Sequence, residues 1–143
     1  MKLYFILCSF LILTLNCAAQ RTEQYFEYQG RQVPVDRALF FSITEKEGDR
    51  FHRRVYYMRE DNLQMEGYYI DSNCNIKQGD FVYYYPGGNI EIKSSYSNNK
   101  LDGRYLSFYT DGMIKDSSNY LMGNLTGFSY SLHPDGMMKD SII

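Results

Sequence analysis

The sequence predicts an all-β fold: an antiparallel, curved meander of tandem β-hairpins. Six glycines mark a repeat of 24 residues, two in each unit: Gly79 with Gly88, Gly103 with Gly112, and Gly127 with Gly136. A fixed period of roughly 20–50 residues is typical of repeat proteins, whose units bury surface against their neighbours. The runs between the glycines are rich in tyrosine, phenylalanine, valine and isoleucine, which favours strands. Asp-Gly and Gly-Gly turns separate these runs and favour hairpins, because glycine adopts positive φ without a Cβ clash.

Residues 1–19 have the pattern of a secretory signal peptide. Lys2 gives a positive start, and an almost unbroken apolar run extends to Leu15. Small residues ending at Ala19 provide a cleavage site, so we expect an exported chain that is periplasmic or secreted. The alternative is that Cys17 becomes the lipidated first residue of a lipoprotein, which would anchor the chain to a membrane.

Residues 20–58 are predicted to form an N-terminal strand and a hairpin cap. Tyr25 and Phe26 mark a short strand in a polar stretch. An apolar, β-prone run at 38–44 and a second run at 50–58 flank a turn that contains glycine. We therefore expect residues 38–58 to form the hairpin that starts the meander.

Residues 59–143 are predicted to form the repeat sheet. The unit boundaries follow the glycine spacing: a degenerate unit at about 51–78, complete units at 79–102 and 103–126, and a partial unit at 127–143. Each unit supplies one hairpin, and successive hairpins are expected to join into the meander.

Alternation along each strand assigns the side chains to two faces. Val82 and Tyr84 share one face, which we predict to be the core. Their counterparts in the next units are Leu106 with Phe108 and Tyr130 with Leu132. The opposite face carries Phe81, Tyr83 and Tyr85 and becomes more polar along the chain, so we expect it to be partly solvated.

The unit at 103–126 shows a specific residue pattern. It reads Gly103-Arg104-Tyr105, Phe108-Tyr109, Asp111-Gly112, Ile114-Lys115 and Tyr120, with Gly127 closing it. This pattern resembles the MORN-repeat family in its bacterial variant form, and the resemblance covers residues 79–143. Proteins of this kind are often labelled YwqK-family antitoxins of toxin–antitoxin systems. The better-known MORN proteins are membrane-associated or protein-binding scaffolds, so the resemblance implies a binding role of either sort.

The residues predict a protein that is not an enzyme and needs no cofactor or metal. The sequence has no Gly-x-Ser-x-Gly elbow, phosphate loop or His-Glu-x-x-His motif. His52 and His133 are far apart, and Cys74 is the one cysteine outside the leader, where we expect a free surface or semi-buried thiol. The net charge is −2 and the sequence has no block of basic residues. The chain therefore lacks the positively charged surface that proteins use to bind nucleic acid.

Tyrosine is in clear excess, with 15 residues and no tryptophan. Cross-strand aromatic pairing explains most of them. Tyrosine is also common in binding surfaces, where its ring is buried and its hydroxyl stays in contact with water. We predict Tyr83, Tyr85 and Tyr109 as surface contacts for a partner. The resulting prediction is an exported, non-enzymatic protein-interaction or envelope scaffold module that binds another protein or envelope component. The alternative is an antitoxin that binds its partner toxin.

Overall fold

The structure is a computed structural model that describes residues 21–142. The predicted signal peptide and Cys17 lie outside the described residues. The strands of the described part are β1 Arg21–Phe26, β2 Phe40–Glu47, β3 Arg50–Tyr57, β4 Leu63–Tyr69, β5 Lys77–Tyr84, β6 Ile90–Ser97, β7 Lys100–Leu101, β8 Gly103–Phe108, β9 Ile114–Leu121, β10 Asn124–Leu132 and β11 Met138–Ile142. Two short 3-10 turns, Tyr28–Gly30 and Val35–Arg37, separate β1 from β2.

All strands join one antiparallel sheet in sequence order, apart from the short β7, which pairs with β6 beside this path. The predicted all-β meander of hairpin-like neighbours is confirmed. The sheet is open and uncurled, so the curvature that we expected of it is not observed. β2 and β3 form the hairpin predicted for 38–58, with Phe40 opposite Tyr57 and Glu47 opposite Arg50.

Hydrogen bonds recur with the 24-residue spacing of the sequence. The backbone N–H groups of Gly88, Gly112 and Gly136 each donate to the carbonyl three residues earlier, over 2.8 to 2.9 Å, and all three glycines have positive φ. The backbone N–H of Asn98 donates to Gln78 Oε1, and that of Met122 donates to Asp102 Oδ1, each over 3.1 Å. The repeat is therefore a repeat of contacts and not of composition alone.

The face predicted to be the core is the wrong one. Phe81 is fully buried, whereas Val82 and Tyr84 on the other side of β5 are only half-buried. We call the Phe81 side of the sheet the inner face and the Val82 side the outer face. Ser107 and Ser129 in later units are also buried on the inner face. Aliphatic character misled the prediction, because the rings of neighbouring strands pack on the Phe81 side, where Tyr69 and Tyr96 both contact Phe81.

The core lies on the inner face of β3, β4 and β5. Its buried members are Val55, Met65, Tyr69 and Phe81, with Phe40, Phe51, Cys74, Tyr83 and Tyr96 packed against them. The Phe81 ring makes edge contacts with Tyr69 and with Tyr96, each at 5.2 Å between centroids. Burying one such aromatic ring stabilises the fold by about 1.5–3 kcal/mol, so this cluster anchors the N-terminal half.

Candidate functional site

A cleft of about 410 Å³ opens on the inner face near the N-terminal strand. Its floor is the sheet, where β3 and β4 contribute Arg53, Val55 and Met65. Its wall is the segment that leaves β1, with Phe26 and Tyr28. This segment turns over the sheet because Tyr28 packs edge-on against Phe40, with 5.9 Å between the ring centroids. The cleft is therefore bounded on one side by Phe26 and by the largely exposed Tyr28.

Arg53 is the cation of this cleft. Its Nη2 donates to the fully buried Ser42 Oγ over 3.1 Å, and its guanidinium carbon lies 4.9 Å from the centre of the Phe26 ring. Its Nε is buried and has no hydrogen-bond partner among the described residues. No carboxylate within residues 21–142 forms an ion pair with it. The neighbouring Arg54, on the outer face, is paired with Glu45.

Two titratable groups beside Arg53 are held in their neutral forms. Burial raises the pKa of Tyr69 well above its ordinary value, and the positive charge of Arg53 opposes this rise only in part. Burial likewise raises the pKa of the Cys74 thiol, again against the opposing charge of Arg53. Cys74 is free and half-buried, as predicted, with its Sγ 3.9 Å from Thr44 Oγ1. Both groups are therefore protonated at neutral pH, and the thiol is a poor nucleophile.

Glu27 is the acidic residue among those that line the cleft. It forms an ion pair with Arg31, whose guanidinium hydrogen bond lowers the pKa of the Glu27 carboxyl. The ion pair neutralises the charge of Glu27, so the charge that is left without a counter-charge among the residues lining the cleft is that of Arg53.

A second surface of interest lies on the outer face of the last strands. We call it the outer patch, and it consists of Leu121, Phe128, Tyr130, Leu132 and Met138. The exposed fractions of Leu121, Phe128 and Met138 are 61%, 47% and 58%. The rings of Phe128 and Tyr130 lie 5.8 Å apart, and Leu132 is the register partner of Met138. The outer patch spans the length of β10, since Leu121 is opposite Asn124 at one end and Met138 is opposite Leu132 at the other. Several exposed apolar side chains on one face of a sheet mark an interaction surface more often than singly scattered ones do.

The tyrosines predicted as partner contacts all lie on the inner face and are half-buried. Tyr83 packs against the core and accepts a hydrogen bond from Lys77 Nζ over 2.8 Å. Tyr85 Oη donates to the Phe108 carbonyl over 2.8 Å, and Tyr109 Oη donates to the Leu132 carbonyl over 2.7 Å. Each of these two hydroxyls ties one repeat to the next, 23 residues further on. These hydrogen bonds show that Tyr85 and Tyr109 have a structural role in joining the repeats. The role of the three tyrosines as partner contacts stays a prediction.

The histidines occupy separate surroundings. His52 stacks on Tyr68 at 4.6 Å between centroids, with Nδ1 3.3 Å from Glu47 Oε1. His133 is exposed, in the turn before β11. Within the described part of the chain, no group of three or more histidine, cysteine, aspartate or glutamate side chains is placed to hold a metal ion. Residues 21–142 also contain no helix long and apolar enough to cross a membrane.

The sequence prediction missed Arg53, although strand alternation carries the signal. In β3 the period of two puts Phe51, Arg53 and Val55 on one face, so a charged residue stands between two apolar ones. An inward charge of this kind needs a partner, and that requirement points to a site. The outer patch was missed because two of its residues, Tyr130 and Leu132, were assigned to the core.

Comparisons with protein-family models, with curated proteins and with solved structures find no match to this chain. The MORN-like pattern therefore stays a resemblance carried by the residues of the repeat, and the observed fold is the all-β antiparallel sheet.

Proposed function

We propose that this chain is an exported, non-enzymatic interaction protein that presents the outer patch of its repeat sheet to a protein partner at the cell envelope. The observation that carries the proposal is the exposure of Leu121, Phe128 and Met138 on one face of three adjacent strands. A sheet with a single layer leaves this face uncovered, and removing such side chains from water is the main driving force of protein association.

The partner is a protein with an apolar surface and not an anionic membrane. The chain has a net charge of −2, so the negative surface potential of anionic lipids would repel it. The contacts that lock the repeats together supply a rigid platform, since Tyr85 and Tyr109 each tie neighbouring units. Rigid platforms lose less entropy on binding than mobile ones.

The test is photo-cross-linking in the native cell with a photoreactive phenylalanine analogue at position 128. We expect one discrete protein adduct from position 128, and none from a control analogue at position 110, an exposed site in the β8–β9 turn. Adding Leu121→Asp and Met138→Asp should abolish the adduct, because charged side chains within an apolar contact are desolvated without partners. An adduct that forms equally from position 110, or that survives both charges, would contradict the proposal.

A further inference from the structure

Arg53 is the arginine that lines the cleft, and it forms no ion pair with a carboxylate within residues 21–142. Arg21, Arg31 and Arg54 each pair with a glutamate. The Arg53 side chain contacts the Ser42 hydroxyl, the face of Phe26 and the Cys74 thiol, none of which is a counter-charge. A guanidinium that is partly removed from water without a counter-charge is costly, and an anionic ligand in the cleft would remove that cost.

The walls around this charge are apolar. Phe26, Phe40, Val55, Met65 and Tyr69 line the cleft, and Gln64 adds one neutral polar group. Its volume of about 410 Å³ falls within the range of small-molecule sites, which are concave, mainly apolar and carry few polar groups. A fixed cation on an apolar floor selects a ligand that has an anionic head and an apolar body.

We propose that the cleft binds a small monocarboxylate with an apolar tail, of the kind that a medium-chain fatty acid provides. The carboxylate accepts hydrogen bonds from the Arg53 guanidinium, and the tail lies along Val55, Met65 and Tyr69. Arginine suits this head group because its planar fork matches the two oxygens of a carboxylate.

Charge at the cleft favours a single negative charge over two. Arg53 supplies one positive charge, and the charge of Glu27 is neutralised by its ion pair with Arg31. A carboxylate neutralises Arg53, whereas a phosphate monoester brings a second charge that the apolar lining leaves without a partner. The ligand site lies on the inner face and the outer patch on the other, so the two proposals stand or fall separately.

The test is a titration of the full chain with octanoate, followed by NMR at the Arg53 Nε–H and the Met65 methyl group. We expect both signals to shift together and to saturate. Octan-1-ol, which has the same tail without the charge, should bind about tenfold more weakly or worse, since a hydrogen bond to a charged group accounts for about one to two decades of affinity. Octyl phosphate should also bind more weakly, because its second negative charge would lie in the cleft without a partner.

Matched variants separate the cleft from general effects of charge. Arg53→Met should weaken octanoate binding by about tenfold to a hundredfold, because it removes the cation and keeps an unbranched apolar side chain. Arg54→Met removes the adjacent charge on the outer face and should leave binding within about twofold. If Arg53→Met does not fold, Arg53→Lys with the three ligands tests the same requirement for a cation.

Four results would overturn the proposal. They are an Arg53 Nε–H signal that does not respond to octanoate, equal binding of octan-1-ol, equal binding of octyl phosphate, and equal loss of affinity in Arg53→Met and Arg54→Met.

Discussion

Phe81 on β5 lies across Gly67, its register partner on β4. The ring atoms Cδ1 and Cε1 of Phe81 stand 2.3 Å from the position that a Cβ at residue 67 would occupy. A glycine within a strand leaves the backbone open, and an aromatic ring from the neighbouring strand covers it. This pair explains why Phe81 is fully buried in a sheet with few covering segments.

Gly67→Ala should destabilise the fold by about 1–3 kcal/mol, the usual cost of overpacking a filled core. The added methyl group meets a ring that Tyr69 and Tyr96 hold on two sides, so Phe81 has no free direction in which to move. The measurement is the free energy of unfolding in urea. Gly87→Ala is the control, because nothing lies within 4 Å of a Cβ there, and its effect should stay within about 0.5 kcal/mol. Equal effects of the two changes would mean that the Phe81 ring does not rest on Gly67.

Tyr109→Phe should destabilise the repeat sheet by about 0.5–1.5 kcal/mol, the typical net contribution of one hydrogen bond. The change removes only the hydroxyl that donates to the Leu132 carbonyl over 2.7 Å. Tyr85→Phe should cost a similar amount, because Tyr85 makes the same bond one unit earlier. Tyr120→Phe is the control, since this half-buried tyrosine of β9 makes no side-chain hydrogen bond within residues 21–142. Stability is measured by thermal unfolding. An equal loss of stability in all three variants would argue against a contribution of the inter-repeat hydrogen bonds.

Asp116→Ala should destabilise the sheet by about 1–3 kcal/mol at neutral pH. Asp116 on β9 accepts hydrogen bonds from Ser107 Oγ over 2.5 Å and from Ser131 Oγ over 2.6 Å, so it joins three strands. Partial burial acts in the opposite direction, but these two bonds lower the pKa of the Asp116 carboxyl below its ordinary value. Asp140→Ala, an exposed aspartate on β11, should have little effect.

The sign of the pH dependence at Asp116 follows from linkage. Since the folded pKa is lowered, the unfolded chain takes up protons first as pH falls, and the stabilisation by Asp116 is lost between the ordinary and the lowered pKa. The difference in unfolding free energy between wild type and Asp116→Ala should therefore shrink below about pH 4. A difference that stays constant down to pH 2 would show that the carboxylate charge plays no part.

Alkaline pH should destabilise the chain through its buried tyrosines. Burial, with the hydrogen bond that Tyr84 Oη donates to Glu66 Oε1 over 2.6 Å, raises the pKa of Tyr84 to about 12. The unfolded chain then ionises first, so stability is present below about pH 10 and is lost as pH rises through the folded pKa. Unfolding measured at pH 8, 10 and 12 should show this loss, and Tyr84→Phe should make it shallower. A pH profile identical in the variant would assign the loss to other groups.

The fold was predictable from the sequence because local and long-range signals agree in the repeats. The period of Gly79, Gly103 and Gly127, with the turns at Gly88 and Gly112, defines hairpins that need few distant contacts. Which face of the sheet is buried could not be predicted in the same way. Both faces of β5 carry aromatic or aliphatic residues, so the face that is buried depends on how rings of neighbouring strands pack, as Tyr69 and Tyr96 pack against Phe81.

The Arg53 cleft could not be predicted from the sequence for a related reason. Its wall comes from Phe26 and Tyr28, its floor from Arg53 and Val55, and nothing in the spacing of these residues indicates that the chain after β1 folds back over the sheet. The edge contact of Tyr28 with Phe40 determines that path, and contacts of this kind follow from packing and not from pattern.

Export is the condition on which a partner at the cell envelope depends, and the intact mass of the natively expressed chain tests it most directly. The mass is measured separately in the soluble and the membrane fractions. We predict a chain that begins at Gln20 in the exported soluble fraction, and a lipid-bearing Cys17 in the membrane fraction would support the anchored form instead. A chain that still begins at Met1 in the cytoplasm would contradict export and would favour an antitoxin that meets its toxin inside the cell.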